Sequence, residues 1–310
     1  MRQVEDDVMI KFMAKNGVSK QVATKEVRLA ATHPYVEAGV EKAESQQNME
    51  SLLSIYRALD ALSPAFARVE RRSDVSRNEF LHEYYSRNRP VILTGLMQNW
   101  KALSLWTTEY FKARYGSETV EISAGRDSDP SHDVNAENHY RKVLFSDYVD
   151  MVTKGGESND YYLIARNHVL KKKAFRGLLE DIEAFPEYLN PKTAENIRMW
   201  FGPAGAVSQL HCDRTNVLMA QVYGRKRIKL IPSNQLPVVY SVRGTYSQVD
   251  CENPDYEKYP LFKEVTISDL VLEPGEVLFI PVGWWHHVRS LDISISLSMV
   301  DFVFPNVYSQ

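Results

Sequence analysis

The spacing of hydrophobic residues changes along the chain. Up to about residue 66, apolar positions such as Leu52, Tyr56 and Leu59 recur at three- and four-residue intervals, which predicts amphipathic helices. The pair His33-Pro34 interrupts this pattern, because the residue before a proline is disfavoured in the helical region. No group of residues with obvious chemistry occurs here. We interpret residues 1–66 as a helical segment for docking or dimerisation.

Residues 67–310 carry shorter elements of both kinds. Helices are predicted at Ser76–Tyr85, Trp100–Tyr115 and Tyr140–Val152, and a strand-like run follows at Tyr161–Ala165. After residue 197 the chain becomes a series of short strands separated by Gly and Pro. These strands are predicted at Arg198–Phe201, Val207–Asp213, Val217–Tyr223, Arg225–Ile231, Glu276–Ile280 and Ile293–Val300. The pattern favours a mainly β protein with flanking helices and a double-stranded β-helix (jelly-roll) core.

Composition narrows the class of protein. Of the 310 residues, 44% are hydrophobic and 25% are charged, which is ordinary for a globular protein. The net charge of -3 and the pI near 6.3 argue against a broad nucleic-acid-binding surface. No apolar run is long enough for a membrane span, and the first residues are too acidic for a secretory signal. The two cysteines, Cys212 and Cys251, suit a reducing compartment, so we expect a cytoplasmic protein.

A candidate metal site combines two separate stretches of sequence. His211 and Asp213 are two residues apart in a predicted strand, so both side chains face the same way, whereas Cys212 faces the other way. A third ligand is available from His286 or His287, about 75 residues further on. Two imidazoles and one carboxylate on one face of an ion leave three coordination positions open, as in non-haem Fe(II) oxygenases. A His-X-Asp pair alone is a weak signal, and the combination carries the prediction.

These motifs resemble those of the JmjC hydroxylases, a branch of the cupin-like oxygenases, over roughly residues 68–304. The stretches that carry the resemblance are Trp200–Gly205, Leu210–Asp213, Gln221–Lys226, Ser247–Asp250 and Pro274–His286. The resemblance implies a JmjC-type jelly-roll domain over residues 67–310, with Fe(II) held by His211, Asp213 and His286. It selects His286 over His287, because in that family the ligand directly follows the tryptophan.

The resemblance also implies a pocket for the co-substrate 2-oxoglutarate. The family's carboxylate-binding lysine falls on Lys226, 15 residues after His211. Arg225 and Arg227 flank Lys226 in an alternating strand, so only one side of this triplet faces inward. A hydroxyl three residues before the first histidine corresponds to Ser208, and a tyrosine from an earlier strand corresponds to Tyr162.

One position departs from the family pattern. Family members commonly carry an asparagine six residues after the first histidine ligand, where this chain has Val217. Asn216 is the neighbouring candidate for this role. Strand alternation turns Asn216 to the other face unless a bulge intervenes.

The activity implied by the resemblance is hydroxylation with O₂, releasing succinate and CO₂ from 2-oxoglutarate. The C–H bond would belong to a protein, a peptide or a small molecule, and demethylation is disfavoured because no zinc-binding or chromatin-reading module accompanies the domain. Arg126, Arg166 and Asn167 are candidate substrate-facing residues, and the polar loop Asp127–Tyr140 is a candidate lid.

Two alternatives stay open. One is a cupin that uses a metal for isomerisation or hydrolysis, and the other is a non-catalytic cupin-like binding protein. We expect no nucleic-acid or membrane partner, and any homodimer is expected to form through the N-terminal helices.

Overall fold

The computed structural model describes residues 6–63, 66, 68–190 and 196–308, and these form two compact units that divide after Ser63. The first unit has three helices: α1 at Asp6–Lys15, α2 at Lys20–Ala31 and α3 at Pro34–Asp60. The predicted break at His33-Pro34 is confirmed, because the His33 side chain caps α3 by accepting a hydrogen bond from the Tyr35 amide. The predicted helical residues 1–5, 64 and 65 lie outside the described ranges.

The second unit contains short helices placed mostly before the main strands. They are α4 at Arg77–Glu79, which continues as a π-helical stretch over Phe80–Tyr85, α5 at Ala102–Leu105, α6 at Thr108–Tyr115 and α7 at Phe145–Lys154. Short 3₁₀ helices occur at Arg126–Ser128, Ala136–His139, Ala165–Asn167, Val169–Lys171, Lys173–Asp181, Ser233–Val238 and Pro260–Glu264. No helix in the described ranges has both the length and the apolar character needed to cross a bilayer.

Fifteen strands are present in the described part of the second unit. In chain order they are β1 Glu70–Arg72, β2 Val91–Leu93, β3 Thr119–Ala124, β4 Tyr140–Leu144, β5 Tyr161–Tyr162, β6 Arg198–Gly202, β7 Val207–Cys212, β8 Val217–Tyr223, β9 Lys226–Ile231, β10 Ser241–Val242, β11 Tyr246–Ser247, β12 Ser268–Leu272, β13 Val277–Ile280, β14 Trp285–Ser290 and β15 Ser294–Met299.

The main strands form two six-stranded sheets. The first has the order β1-β2-β13-β8-β15-β6, and the second has the order β10-β11-β7-β14-β9-β12. Successive strands from β6 to β9, and again from β12 to β15, alternate between the two sheets. This alternation winds the chain into a double-stranded β-helix, so the predicted fold class is confirmed. A small third sheet has the order β4-β3-β5.

Hydrophobic side chains hold the layers together. The helices cover the first sheet with a cluster rich in aromatic residues, in which Phe80 packs edge-on against Phe279 at 4.9 Å between ring centroids. Between the two sheets, Ile228 and Leu230 of β9 form a buried cluster with residues that include Leu278 of β13. Burying one such side chain stabilises the fold by about 1.5–3 kcal/mol. This cluster occupies only part of the space between the sheets, and the rest is a cavity.

The predicted helix over Tyr140–Val152 is wrong in its first part. Tyr140–Leu144 is strand β4, which pairs antiparallel with β3 from Ser123 opposite Tyr140 to Thr119 opposite Leu144. Helix α7 begins only at Phe145. A five-residue segment has a weak local preference, so pairing with an available neighbouring strand decides its structure.

Candidate active site

Strands β7 and β14 bring together three side chains that could hold a metal ion. His211 pairs directly with His286 in the antiparallel ladder, and their ring centroids are 4.1 Å apart. Asp213 follows the end of β7 and places one carboxylate oxygen 3.8 Å from Nε2 of His286. One ligand atom from each of the three residues lies within 4.8 Å of the other two. The set of two imidazoles and one carboxylate is the one used by non-haem Fe(II) oxygenases.

Backbone carbonyls orient both imidazoles. Nδ1 of His211 lies 2.6 Å from the Gln209 carbonyl oxygen, and Nδ1 of His286 lies 3.1 Å from the Trp284 carbonyl oxygen. A carbonyl oxygen only accepts, so each Nδ1 carries the proton and each Nε2 has a free lone pair. Burial, together with the adjacent His211, lowers the pKa of His286 well below its usual value. His286 is therefore neutral, which is the form that coordinates metals.

The neighbouring His287 faces the opposite side of the second sheet. It pairs with Lys229 of β9 and lines a separate polar pocket. Cys212 likewise turns away and packs against a cluster that contains Leu210 and Trp285. The structure therefore brings His286, and not His287, beside His211 and Asp213.

A β-bulge in β7 shapes this wall. His211 is opposite His286, but Ser208 is opposite Val288, so two residues of β7 face the single residue His287. The extra residue returns Ser208 to the face that carries His211, although the two are three positions apart. Both side chains consequently line the same cavity.

A loop that precedes α7 closes over the bulge. Asp133 accepts a hydrogen bond of 2.8 Å from the Gln209 amide, which the bulge leaves without a partner strand. The Gln209 side chain in turn donates to the Pro130 carbonyl. The candidate lid Asp127–Tyr140 is thus folded against β7 and held there by Asp133. The sequence carries no signal that would identify Asp133 in this role.

The cavity between the sheets has a volume of about 400 Å³. It is lined by Tyr162, Ala165, Arg166, Arg198, Trp200, Ser208, His211, Asp213, Thr215, Val217, Met219, Lys226, Tyr246, Ile280, His286, Val288, Ser298 and Val300. The candidate metal ligands and the predicted co-substrate residues Lys226, Ser208 and Tyr162 therefore share one cavity.

Lys226 is a buried cation in this cavity. It is 1% exposed, and its Nζ donates hydrogen bonds of 2.8 Å to the Tyr162 hydroxyl and to the Ser296 hydroxyl. Its neighbours Arg225 and Arg227 point outward and pair with Asp292 and Asp269. The strand alternation expected for this triplet is therefore present.

The electrostatic setting of Lys226 suits an anionic ligand. Burial lowers the pKa of Lys226 to about 7, and within the described residues no carboxylate pairs with it. A buried ammonium without a counter-charge is unfavourable, and a bound carboxylate would relieve that cost. Burial also raises the pKa of Tyr162, which keeps its hydroxyl protonated and able to donate. The residues present fit a dicarboxylate that bridges Lys226 and a metal ion.

The structure does not bring Asn216 to the cavity. Its side-chain oxygen accepts from the Val282 amide, and its side-chain nitrogen donates to Asn306 and to the Tyr308 hydroxyl. Asn216 is fully buried in this network, and the adjacent Thr215 and Val217 line the cavity instead. Thr215, Asn216 and Val217 therefore alternate between the two faces of the chain, as expected without a bulge.

The three candidate substrate residues have different positions. Arg166 lines the cavity and donates a 2.9 Å hydrogen bond to the Tyr246 hydroxyl. Arg126 is buried outside the cavity, with its guanidinium 5.3 Å from the centre of the Tyr162 ring. Asn167 accepts from the Ile164 amide and closes a local turn, so it does not face the cavity.

Several residues that line the cavity or contact its lining were not identified from the sequence. Tyr246 of β11 pairs with His211 and stacks on its ring at 5.8 Å between centroids. Trp200 packs against Tyr162 at 5.7 Å, and Ser296 accepts from Lys226. Trp200 starts one of the quoted motifs and Tyr246 directly precedes another, which is the signal that could have found them. Ser296 lies in an ordinary alternating strand and carries no such signal.

Comparisons with known proteins agree with this geometry. The sequence model of the cupin-like domain family matches residues 77–302. Lysine-specific demethylase 8 of Xenopus tropicalis is 34% identical over 231 residues, which is 72% of this chain and 50% of that protein. Lysine-specific demethylase JMJ30 of Arabidopsis thaliana is 34% identical over 256 residues, 79% of this chain and 57% of that protein. This chain thus spans only about half the length of these two relatives.

The name of a third relative refers to a different process. The tRNA wybutosine-synthesizing protein 5 of Gallus gallus is 32% identical over 240 residues, which is 73% of this chain and 74% of that protein. The names of the relatives thus describe more than one kind of substrate.

Proposed function

The chain belongs to the cupin-like (JmjC) family, and on this basis we propose that it is an Fe(II)- and 2-oxoglutarate-dependent oxygenase that hydroxylates an unactivated C–H bond. The observation that supports this proposal most is the composition of one cavity. His211, Asp213 and His286 meet in this cavity, and Lys226 is a buried cation in its wall. Such an arrangement suits a ligand with one carboxylate for the lysine and a second one for the metal.

Each group in the cavity has a distinct proposed role. His211, Asp213 and His286 would hold Fe(II). Lys226 binds the distal carboxylate of 2-oxoglutarate, and the hydroxyls of Tyr162 and Ser208 donate hydrogen bonds to the co-substrate. When bound, iron and 2-oxoglutarate supply the oxidising chemistry, which consumes O₂ and releases succinate and CO₂.

The apolar wall has a role in excluding water. Val217, Met219 and Ile280 line the cavity together with Val288. Their side chains keep the space around the candidate metal ligands poor in water, which strengthens each polar interaction inside it. The imidazoles of His211 and His286 are oriented by their carbonyl partners, and as candidate metal ligands neither is a candidate proton carrier.

Two other functions are weaker candidates. A metal-dependent cupin isomerase or hydrolase has no need for a buried, unpaired Lys226 in the same cavity. A non-catalytic binding protein has no need to retain a complete metal-ligand set, and all three ligands are present. N-demethylation would use the same site, since it begins with hydroxylation of an N-methyl carbon, and it is the main alternative outcome.

The experiment that tests the hydroxylation proposal follows oxygen into the product. The Fe(II)-loaded protein is incubated with 2-oxoglutarate, ¹⁸O₂ and a panel of peptides and metabolites that includes N-methylated members. We expect a substrate that gains one labelled oxygen atom, and we expect no gain with His211→Ala. Loss of a methyl group with release of formaldehyde, without a stable hydroxylated product, would contradict hydroxylation in favour of demethylation.

Two further predictions concern partners and compartment. We propose a homodimer through the N-terminal helices, because α3 exposes apolar side chains that include Leu52, Ile55 and Leu59. Sedimentation of the full chain would show a dimer that dissociates when these three residues are changed to Glu, and a monomer at all concentrations would contradict it.

We propose a cytoplasmic location, because Cys212 and Cys251 are both free thiols.

A further inference from the structure

Two arginines share the cavity with Lys226. Arg166 follows strand β5 and Arg198 begins strand β6, and both side chains contribute to the cavity lining. The antiparallel bridge between Leu163 and Phe201 makes these two chain segments run side by side. Arg198 is partly buried, and Arg166 lies at the solvent-exposed edge of the cavity. The cavity therefore has two neighbouring guanidinium groups in its wall in addition to the ammonium of Lys226.

Neither guanidinium has a carboxylate partner within the described residues. The polar partners that the structure gives Arg166 are two neutral tyrosine hydroxyls, that of Tyr246 at 2.9 Å and that of Tyr140. Glu121 of β3 accepts a 3.4 Å hydrogen bond from Asn167, and no salt bridge joins it to either arginine. The acidic residue in the lining itself is Asp213, which belongs to the candidate metal site.

With Fe(II) and 2-oxoglutarate bound, the cavity would carry more positive than negative charge. The two positive charges of Fe(II) and the one of Lys226 are balanced by Asp213 and the two carboxylates of 2-oxoglutarate. Arg166 and Arg198 are then left without counter-charge, and a guanidinium stays protonated at any physiological pH. Two planar donor groups in one wall are suited to bind a carboxylate or a phosphate through paired hydrogen bonds.

Resting on the proposed function, we propose that the primary substrate presents an oxyanion, a carboxylate or a phosphate, to Arg166 and Arg198 while its reacting carbon faces the metal site. A substrate with a cationic side chain at this position is disfavoured, because like charges in a partly buried cavity repel strongly. The cavity thus selects acidic substrates over methylated or unmodified lysine side chains.

Binding of small anions tests this assignment without turnover. Acetate and methyl phosphate are titrated separately by calorimetry into the full chain, held without O₂ and saturated with Fe(II) and 2-oxoglutarate. We expect binding of at least one probe, weakened about tenfold or more in both Arg166→Gln and Arg198→Gln, since each variant loses a charge-assisted hydrogen bond to the anion. The stronger of the two probes identifies carboxylate or phosphate as the substrate group.

A matched control separates this site from general surface charge. Arg225→Gln removes an exposed arginine that pairs with Asp292 outside the cavity, and we expect unchanged anion binding. Circular dichroism melting of each variant checks that it is folded. The proposal is overturned if neither probe binds the wild-type protein, or if both cavity variants bind the probes as well as Arg225→Gln does.

The outcome is distinguishable from a failure of the proposed function. Succinate release from 2-oxoglutarate in the absence of substrate is measured in the same variants. If succinate forms but no anion binds, the oxygenase chemistry stands and the oxyanion assignment is wrong. A further comparison uses two peptides that differ only in one residue, Lys or Asp, and measures oxidation of each. Oxidation of the Lys peptide alone would also show that the oxyanion assignment is wrong.

Discussion

Nζ of Lys226 lies 2.8 Å from the hydroxyl of Tyr162, in the cavity that also contains the candidate metal ligands. The two residues come from different sheets, since Tyr162 ends β5 of the small sheet and Lys226 begins β9 of the second main sheet. Tyr162 is in turn 5.3 Å from the guanidinium of Arg126, measured to the ring centre. Tyr162 thus contacts one cation through its hydroxyl and lies close to a second one through its ring, which supports the proposal that this end of the cavity binds an anion.

Replacing Lys226 should separate co-substrate binding from metal binding. In Lys226→Met we expect the Kd for 2-oxoglutarate to rise about 10- to 100-fold, because a charge-assisted hydrogen bond is lost. Fe(II) affinity should stay unchanged, since Lys226 contacts none of the three candidate ligands. Anaerobic calorimetry with each ligand measures both. An unchanged 2-oxoglutarate Kd would show that the carboxylate binds elsewhere.

The affinity for 2-oxoglutarate should depend on pH through Lys226. Burial lowers the pKa of Lys226 to about 7 in the free protein, whereas a bound carboxylate favours the charged form. Above pH 7, binding must therefore take up a proton, and the Kd should rise by up to about tenfold per pH unit. In Lys226→Arg the charge is permanent, so this dependence should disappear. A flat wild-type profile from pH 7 to 9 would contradict the expectation.

The same lowered pKa predicts how the stability of the ligand-free protein varies with pH. An unfolded chain keeps the lysine proton up to about pH 10.4, whereas the folded protein releases it above about pH 7. Between these values the unfolded state binds more protons, so this group makes stability rise as pH rises from about 7 to about 10.4, and its contribution is constant below pH 7. Urea unfolding of wild type and Lys226→Met at pH 7 and 9 measures the difference. An equal pH dependence in both proteins would rule out this role for Lys226.

The two adjacent histidines should behave differently. His286→Ala should abolish Fe(II) binding, because the remaining His211 and Asp213 make an incomplete ligand set. His287→Ala should retain binding, since that side chain faces the pocket on the other side of the sheet. Anaerobic Fe(II) titration compares the pair, and the melting temperature shows whether each variant is folded. Loss of metal in His287→Ala with retention in His286→Ala would reverse the ligand assignment.

Gly202 should be essential for the position of Tyr162. A Cβ atom at Gly202 would lie 2.5 Å from Cδ2 of Tyr162, and the buried ring has little room to move. In Gly202→Ala we expect weaker 2-oxoglutarate binding and a loss of about 1–3 kcal/mol in unfolding free energy. Gly39→Ala on α3 is the control, because an added Cβ there meets nothing within 4 Å. Gly39→Ala should keep the wild-type affinity for 2-oxoglutarate. If Gly202→Ala binds 2-oxoglutarate as tightly as Gly39→Ala does, Tyr162 does not contribute to binding.

Strand periodicity explains which residues could be placed from the sequence. His211 and Asp213 share a face because they are two positions apart, and Lys226 faces inward between two outward arginines. These local rules hold because one face of each strand is buried, and a shift by one residue would expose the whole hydrophobic set. The jelly-roll fold follows from the same alternation in successive short strands.

The remaining features depend on partners that are distant in the chain. Ser208 reaches the cavity only through the bulge in β7, and that bulge is closed by Asp133 from a loop about 75 positions earlier. Asn216 turns away because Asn306 and Tyr308 near the end of the described chain engage its amide. Tyr140–Leu144 becomes a strand because β3 is available to pair with it. Such tertiary partners leave no local periodic signal.

The fate of 2-oxoglutarate tests the central claim most directly. Carbon-labelled 2-oxoglutarate is incubated with the purified full chain, Fe(II) and O₂, and labelled succinate and CO₂ are quantified. We expect equal amounts of both products, formed only when metal and O₂ are present and absent in His211→Ala. Succinate formation that persists in His211→Ala, or none in the wild type under a broad panel of acidic, neutral and basic substrates, would contradict the assignment as an Fe(II)- and 2-oxoglutarate-dependent oxygenase.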